Sequence, residues 1–224
     1  MSGSETDRNV TRNGETASPV LPARDACALL VIDMQNDFAS RDGAMAAYGF
    51  DVSDVGLIVE PIRALLDEAR RLSVPVVHTR MVNDTRLNAP SWTAFWGEPA
   101  VTIPGTEGAE FVASLRPEPG EIVIDKYSYG GFHGTNLDTI LRALGRGFVV
   151  VVGTGPNICA GDTMHEAFAL GYGIVAVEDA LASFSNRGTA FNRQLKESGL
   201  YIIENHFGVV CRSDELIARW RLDR

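Results

Sequence analysis

Six short apolar runs, separated by stretches with helical periodicity, constrain this chain more than any other feature. The runs are residues 27–32, 74–79, 121–125, 148–152, 174–178 and 201–205. Most are continuous Val, Ile and Leu rather than alternating, the pattern of strands covered on both faces. Between them, residues 54–72 place Ile58, Ile62, Leu65, Leu66, Ala69 and Leu72 on one helical face. Residues 136–144 and 159–170 are followed by Gly145 and Gly171, the residue type expected just past a helix C-terminus. Helical stretches at 189–198 and 214–220 complete the alternation. A repeated strand–helix order predicts an α/β fold, a parallel sheet with helices on both sides.

The 224 residues suffice for one domain, expected over 24–224. Residues 1–23 are rich in Ser, Thr, Asn, Gly and charge without apolar periodicity, and are expected to form a disordered or loosely docked tail. A net charge of −9 with interspersed signs provides no cationic stripe for nucleic acid. No apolar run reaches the roughly 20 residues of a membrane span, and no apolar signal core opens the sequence. Cys27, Cys159 and Cys211 are widely spaced and odd in number, which fits neither a disulfide scaffold nor a paired-cysteine zinc site. A cytoplasmic, reducing location is the resulting expectation.

Ligands of open α/β sheets bind beyond the carboxyl ends of the strands, so polar residues directly after strands carry the most weight. Asp33 follows the first run, Asp125 and Lys126 close the third, and the fourth leads through Gly153-Thr154-Gly155-Pro156-Asn157-Ile158 to Cys159. An acid, a base and a thiol therefore converge on one sheet edge. Cys159 opens a helix, where unsatisfied N–H groups favour a thiolate and can hold an oxyanion. The plain alternative, a cysteine used as a small buried hydrophobe, suits Cys27 and Cys211 better. Asp33 is either a general base or a charge held by backbone donors. The reference pKa values of Asp and Cys lie about 4.6 units apart, so proton transfer between them needs desolvation of the acid and a cation beside the thiol. Lys126 is placed to supply that cation, although alone it would read as a surface lysine. Asp37 reads as a loop brace.

The histidines compete poorly for the base role. His165 lies six residues after Cys159, about 120° around the helix; His78 ends an apolar run as a core residue; and His133 fits substrate contact and packing equally. No His, Asp or Glu cluster has metal-ligand spacing, and Gly153-Thr154-Gly155 does not extend into a dinucleotide fingerprint, so neither metal nor organic cofactor is expected. The segment 81–103 interrupts the rhythm as a candidate lid or substrate wall. Within it Trp92, Phe95 and Trp96 share a helical face that suits a pocket or a buried interface.

Taken in order, Leu30-Val31-Ile32-Asp33-Met34-Gln35-Asn36-Asp37-Phe38, then Ile124-Asp125-Lys126 with Phe132-His133-Gly134-Thr135-Asn136-Leu137, then Cys159 with Thr163, Ala167-Phe168 and Gly171-Tyr172, resemble the isochorismatase-like cysteine hydrolases. The resemblance runs from about residue 26 to 207. It implies a three-layer α/β/α sandwich with a six-stranded parallel sheet, a homo-oligomer (dimer or tetramer), and a triad of Asp33, Lys126 and Cys159. The stretch after Lys126 is most similar to the ureidoacrylate amidohydrolase and biuret hydrolase branch, which implies an amidohydrolase cleaving a C–N bond of a small carboxamide, ureide or carbamoyl compound through a covalent Cys159 intermediate. A vinyl-ether hydrolase of the isochorismatase type is the rival activity, against which Cys159 argues; a non-catalytic binding protein is the rival of another class. The metal motif of the nicotinamidase branch is missing from residues 78–84.

By position, the N–H groups of Gly155 and Cys159 would form the oxyanion hole, and Gln35, Trp92, Trp96, Tyr127, Tyr129, Phe132, His133 and Asn157 would contact substrate. One departure stands out. Where the family commonly has hydrophobic-Ala-Thr-Asn with a non-proline cis peptide, this chain has Thr154-Gly155-Pro156-Asn157. Pro156 lacks an N–H and restricts Gly155. Ala160, where the family has Val, is expected to leave slightly more room.

Overall fold

In the computed structural model, which describes residues 20–98 and 100–222, the apolar runs form one six-stranded sheet in the order β3-β2-β1-β4-β5-β6. The strands are β1 (Cys27–Ile32), β2 (Val76–Met81), β3 (Ile122–Lys126), β4 (Phe148–Thr154), β5 (Gly173–Ala182) and β6 (Gly208–Cys211), and every pairing is parallel. The helices are α1 (Asn36–Ala39), α2 (Ala44–Ala47), α3 (Ser53–Leu57), α4 (Val59–Arg71), α5 (Pro90–Trp96), α6 (Leu137–Ala143), α7 (Cys159–Ala169), α8 (Thr189–His206) and α9 (Ser213–Leu222).

The sheet has a core on each face because both side-chain sets of β1 are buried. Cys27, Leu29 and Val31 pack with Ile62, Leu65 and Leu66 of α4 and with Leu216 and Trp220 of α9. Ala28, Leu30 and Ile32 pack with Leu137 and Leu141 of α6, Met164 of α7, and Leu200 and Ile203 of α8. This is the three-layer α/β/α arrangement. Successive strands run outward from β1 through β2 to β3, whereas β4 pairs with the other edge of β1 and the chain then proceeds to β5 and β6. The reversal opens a crevice beyond the ends of β1 and β4, the usual ligand position in such sheets.

Several elements differ from the sequence expectation. The run 201–205 is not a strand: it continues α8, in which Leu200 and Ile203 face the core while Tyr201 and Ile202 are exposed. The three-residue spacing of the buried pair, rather than apolar content, decides the conformation. The sixth strand is instead β6, starting at Gly208, where a Cβ would stand 2.4 Å from the Ile174 carbonyl oxygen of β5. The expected helix 54–72 divides at Ile58 into α3 and α4. Of the tail expected over residues 1–23, residues 1–19 lie outside the described residues; in the rest, Leu21 is packed on the core, and its carbonyl accepts a hydrogen bond from Arg219 Nε. No helix among the described residues is long and apolar enough to cross a membrane.

Candidate active site

Asp33 is the first residue after β1, and its φ of 50° lies in the left-handed region, a strained conformation that Asp tolerates better than most residues. The local geometry secures the side chain. Thr79 of β2 donates its hydroxyl to Asp33 Oδ1 at 2.7 Å and accepts from the Asp33 N–H at 3.2 Å. Lys126, closing β3, extends across β2 to place Nζ 2.7 Å from Asp33 Oδ2. Nζ also donates to the carbonyls of Ser128, 3.0 Å, and Tyr129, 2.8 Å. Nζ thus hydrogen-bonds two carbonyls and stands as the ion-pair partner of the carboxylate oxygen Oδ2. Both charged side chains are fully buried, so Lys126 is not a surface lysine.

Cys159 opens α7, and its thiol lies near enough to Asp33 and Lys126 to feel both charges. Gly153 makes the approach of its loop possible: it pairs with Ile32 in register, and a Cβ there would lie 2.2 Å from the Ile32 carbonyl oxygen. Burial pushes the Cys159 thiol up to about 12; Lys126 opposes the rise and Asp33 adds to it. The sequence expectation of a lowered thiol pKa is therefore corrected. Desolvation outweighs the helix start and the neighbouring ammonium. Burial disfavours the Lys126 ammonium, but Asp33 and Cys159 override it and hold its pKa above the ordinary lysine value.

The loop before Cys159 turns at Gly155, φ 66°, whose carbonyl accepts from the N–H groups of Ile158, Ala160 and Gly161. Of the two expected oxyanion donors, the Gly155 N–H points to the Ala182 carbonyl at 3.4 Å, while the Cys159 N–H has no acceptor among the described residues. No cis peptide bond occurs in the described chain. The Pro156 carbonyl is seated between two glycines: a Cβ at Gly161 would be 2.5 Å from it, and one at Gly199 of α8 2.6 Å.

In front of the thiol lies a cavity of about 250 Å³. Of the expected substrate contacts, Trp92, Trp96, Tyr129 and Asn157 line it. The segment 81–103 does form a wall, through α5: Trp92 packs on Tyr129 with centroids 4.7 Å apart, and Trp96 Nε1 donates to Tyr129 Oη at 2.9 Å. Phe95 points away and is 77% exposed, which splits the expected aromatic face.

The other four expected contacts do not reach the cavity. Gln35 is fully buried with its amide clamped between strands and loop: Nε2 donates to the Met81 and Ala109 carbonyls, and Oε1 accepts from the Met81 N–H. Tyr127 lies outside the lining, Phe132 is packed on Tyr172, and His133 is exposed with its N–H on Glu166. Ala160 is buried in the core against the sheet, so its small size adds no room to the cavity.

Asp37 is the brace expected of it, taking the N–H of Ala44 on Oδ1 and that of Thr102 on Oδ2. His78 is buried against Glu121, and His165 packs at a tilt against Phe207. Sequence reasoning missed Thr79, which only strand register places beside Asp33, and the apolar walls Phe38, Phe50 and Phe184, which come from separate segments. Among the described residues no three His, Cys, Asp or Glu side chains stand together as a metal site.

The family model described as the isochorismatase domain matches residues 27–214. The chain belongs to the isochorismatase family. It is 30% identical to the ureidoacrylate amidohydrolase RutB of Variovorax paradoxus, over 91% of this chain and 88% of that one. It is 33% identical to the RutB of Stutzerimonas stutzeri, over 89% and 88%. Among solved structures, a cysteine hydrolase from Pseudomonas syringae pv. phaseolicola superposes with a TM-score of 0.80 at 26% identity, covering 92% of this chain and 96% of that one. The N-carbamoylsarcosine amidase of Thermoplasma acidophilum gives 0.67 at 31%, covering 84% and 96%. The motif resemblance thus holds at the level of the isochorismatase family, with ureidoacrylate amidohydrolases among the relatives.

Proposed function

We propose that this isochorismatase-family protein is a cysteine-dependent amidohydrolase that cleaves a C–N bond of a small carboxamide, ureide or carbamoyl compound. The observation that carries the reading is the grouping of Asp33, Lys126 and Cys159 at the crevice between β1 and β4, with Cys159 in the wall of a largely apolar cavity. The names of the amidohydrolase and amidase relatives support the bond type.

In this mechanism the resting nucleophile is the neutral thiol, because burial disfavours its anion. As the substrate carbonyl reaches Sγ, Asp33 accepts the thiol proton and the sulfur forms the C–S bond. Lys126 keeps the Asp33 carboxylate oriented and offsets its charge. The Cys159 N–H receives the developing oxyanion, and Gly155 joins it by releasing the long bond to Ala182. Asp33 returns the proton to the departing nitrogen, the C–N bond breaks, and an acyl or carbamoyl thioester remains. Asp33 then takes a proton from water, whose oxygen attacks the thioester carbonyl; the C–S bond breaks and Asp33 passes its proton to Sγ, giving the acid and the free thiol.

The test is ammonia or amine release across a panel of carboxamides and ureides by wild type and Cys159→Ala, with mass spectrometry of acid-quenched enzyme. Turnover by wild type, its loss in a folded variant, and an adduct on Cys159 are expected. Undiminished turnover by Cys159→Ala would remove the cysteine mechanism.

A further inference from the structure

We infer that the cavity selects an uncharged substrate whose carboxamide or ureide carries a flat apolar substituent, and discriminates against substrates that bear a carboxylate. The inference rests on the amidohydrolase reading and narrows it. Its origin is the charge and donor content of the cavity wall. Among the described residues, no Arg, Lys or His lines the cavity, and its one acidic wall residue is the exposed Glu98, with the buried Asp33 carboxylate behind the wall. The Lys126 ammonium behind the thiol is fully buried outside the cavity lining, paired with Asp33 and donating to the Ser128 and Tyr129 carbonyls.

The donors of the wall are all neutral, and several are already engaged. Asn88 Nδ2 is engaged by the Tyr127 carbonyl at 3.1 Å, Asn83 Nδ2 by the Val101 carbonyl at 2.8 Å, and Trp96 Nε1 by Tyr129 Oη. What the wall can still donate is uncharged: the hydroxyl protons of Tyr48, Thr93, Tyr129 and Thr154, Asn157 Nδ2 and the Cys159 N–H, the amide oxygen of Asn157 being held by Ser183 at 2.6 Å. By contrast, Asn83 Oδ1 is a buried acceptor without a partner among the described residues. A wall that offers an acceptor, and two carboxylates nearby, suits the N–H groups of an amide or urea and repels an anion. The remaining surface is apolar and partly aromatic, with Phe38, Phe50, Phe184, Met45 and Trp92 surrounding a space of about 250 Å³. A planar ring fills it and an acidic chain leaves its charge unpaired. Ureidoacrylate, the compound in the relatives' name, is itself an acrylate; this chain departs from it at the substituent.

The experiment compares 4-nitrophenylurea with 4-carboxyphenylurea, two para-substituted rings in which the nitro group matches the carboxylate in shape without its charge. Affinities are measured by calorimetry on folded Cys159→Ala, and ammonia release on wild type. The nitro compound is expected to bind at least tenfold more tightly, and Glu98→Lys to reduce that preference at least threefold. Equal or tighter binding of the carboxylate overturns the inference, as does failure of both to bind at millimolar concentration. The two readings separate cleanly. Preferred binding of the neutral compound without hydrolysis of it or of any panel amide leaves the selectivity intact and removes the hydrolase, whereas preferred hydrolysis of the acid does the reverse.

Discussion

Lys126 Nζ stands 2.7 Å from Asp33 Oδ2 with both side chains fully buried, a two-residue contact that spans from β3 across β2 to the end of β1. A buried pair of this kind costs desolvation on both sides, and its net contribution to stability is small when intact. Removing one member is a different matter. Lys126→Met leaves the Asp33 carboxylate unpaired, and destabilisation of about 3–5 kcal/mol is expected from denaturant unfolding. The double variant Asp33→Asn with Lys126→Met should recover most of that loss while remaining inactive. Recovery of activity along with stability would show the pair to be a structural element only.

Thr79 tests the orientation of the carboxylate separately from its charge. Thr79→Val keeps the shape and removes the hydroxyl that donates to Asp33 Oδ1. The buried oxygen loses a donor, worth about 1–3 kcal/mol. Because Thr79 does not line the cavity, kcat should fall about tenfold with KM nearly unchanged. A change confined to KM would place Thr79 in substrate binding instead.

How far the sequence reached depended on whether a signal was local. Asp33, Lys126 and Cys159 were legible because each directly follows or closes an apolar run, and a parallel sheet brings such positions to one edge. Gln35 sits in the same motif, yet its amide faces backbone carbonyls rather than the cavity, a distinction set by the loop carrying Ala109. The cavity walls were legible only in part. Trp92 and Trp96 lie on one visible helical turn, whereas Phe38, Phe50 and Phe184 meet only after folding. The strand misread at 201–205 has the same origin. Tyr201-Ile202-Ile203 is apolar enough for a strand, and only the packing of Leu200 and Ile203 decides for α8.

Acid stability should report on Glu68, buried on α4 between Arg221 of α9 and Arg71. Hydrogen bonds from Arg221 and then Arg71 hold its pKa down to about 2. A depressed carboxyl stabilises the fold fully above its unfolded pKa of about 4.3, and the contribution disappears as pH falls toward 2. With solvent screening of the exposed arginine ends, about 1–2 kcal/mol is at stake. Glu68→Gln should lower stability at pH 7 by that amount and flatten the decline of Tm between pH 5 and 2.5. Parallel wild-type and variant curves over that window would exclude the linkage.

Gly199 reaches the site from a distance. It holds α8 against the Pro156 carbonyl, where a Cβ would stand 2.6 Å from the oxygen and 3.1 Å from the Asn157 nitrogen, contacts that only a backbone shift can relieve. Gly199→Ala should therefore displace the loop that carries Asn157 and the start of α7. Loss of at least tenfold in kcat/KM is expected, exceeding the effect of Gly56→Ala, a helical glycine without a positive φ whose Cβ would meet open space. Equal activities of the two variants would show the loop to be anchored elsewhere.

The final prediction turns on the sign of the effect that Asp33 exerts on the thiol. Burial, with Asp33 adding to it, pushes the Cys159 thiol up to about 12, so at pH 8 its thiolate fraction lies well below that of a free cysteine. Wild-type Cys159 should accordingly react slowly with iodoacetamide, which needs a thiolate already formed. Asp33→Asn removes a negative charge beside the sulfur and leaves the Lys126 ammonium without its partner. Both changes favour the thiolate, so alkylation of Cys159 should accelerate, by at least tenfold at pH 8. Turnover should move the other way, because no carboxylate remains to accept the thiol proton and return it to the leaving nitrogen. Opposite signs separate a proton carrier from a packing residue, whose loss would loosen the site and lower turnover without specifically exposing a thiolate. The measurement is the pH profile of alkylation at Cys159 by peptide mass spectrometry beside ammonia release, on a variant whose melting transition confirms that it is folded. A variant that alkylates no faster than wild type would mean that Asp33 does not govern the ionisation of Cys159.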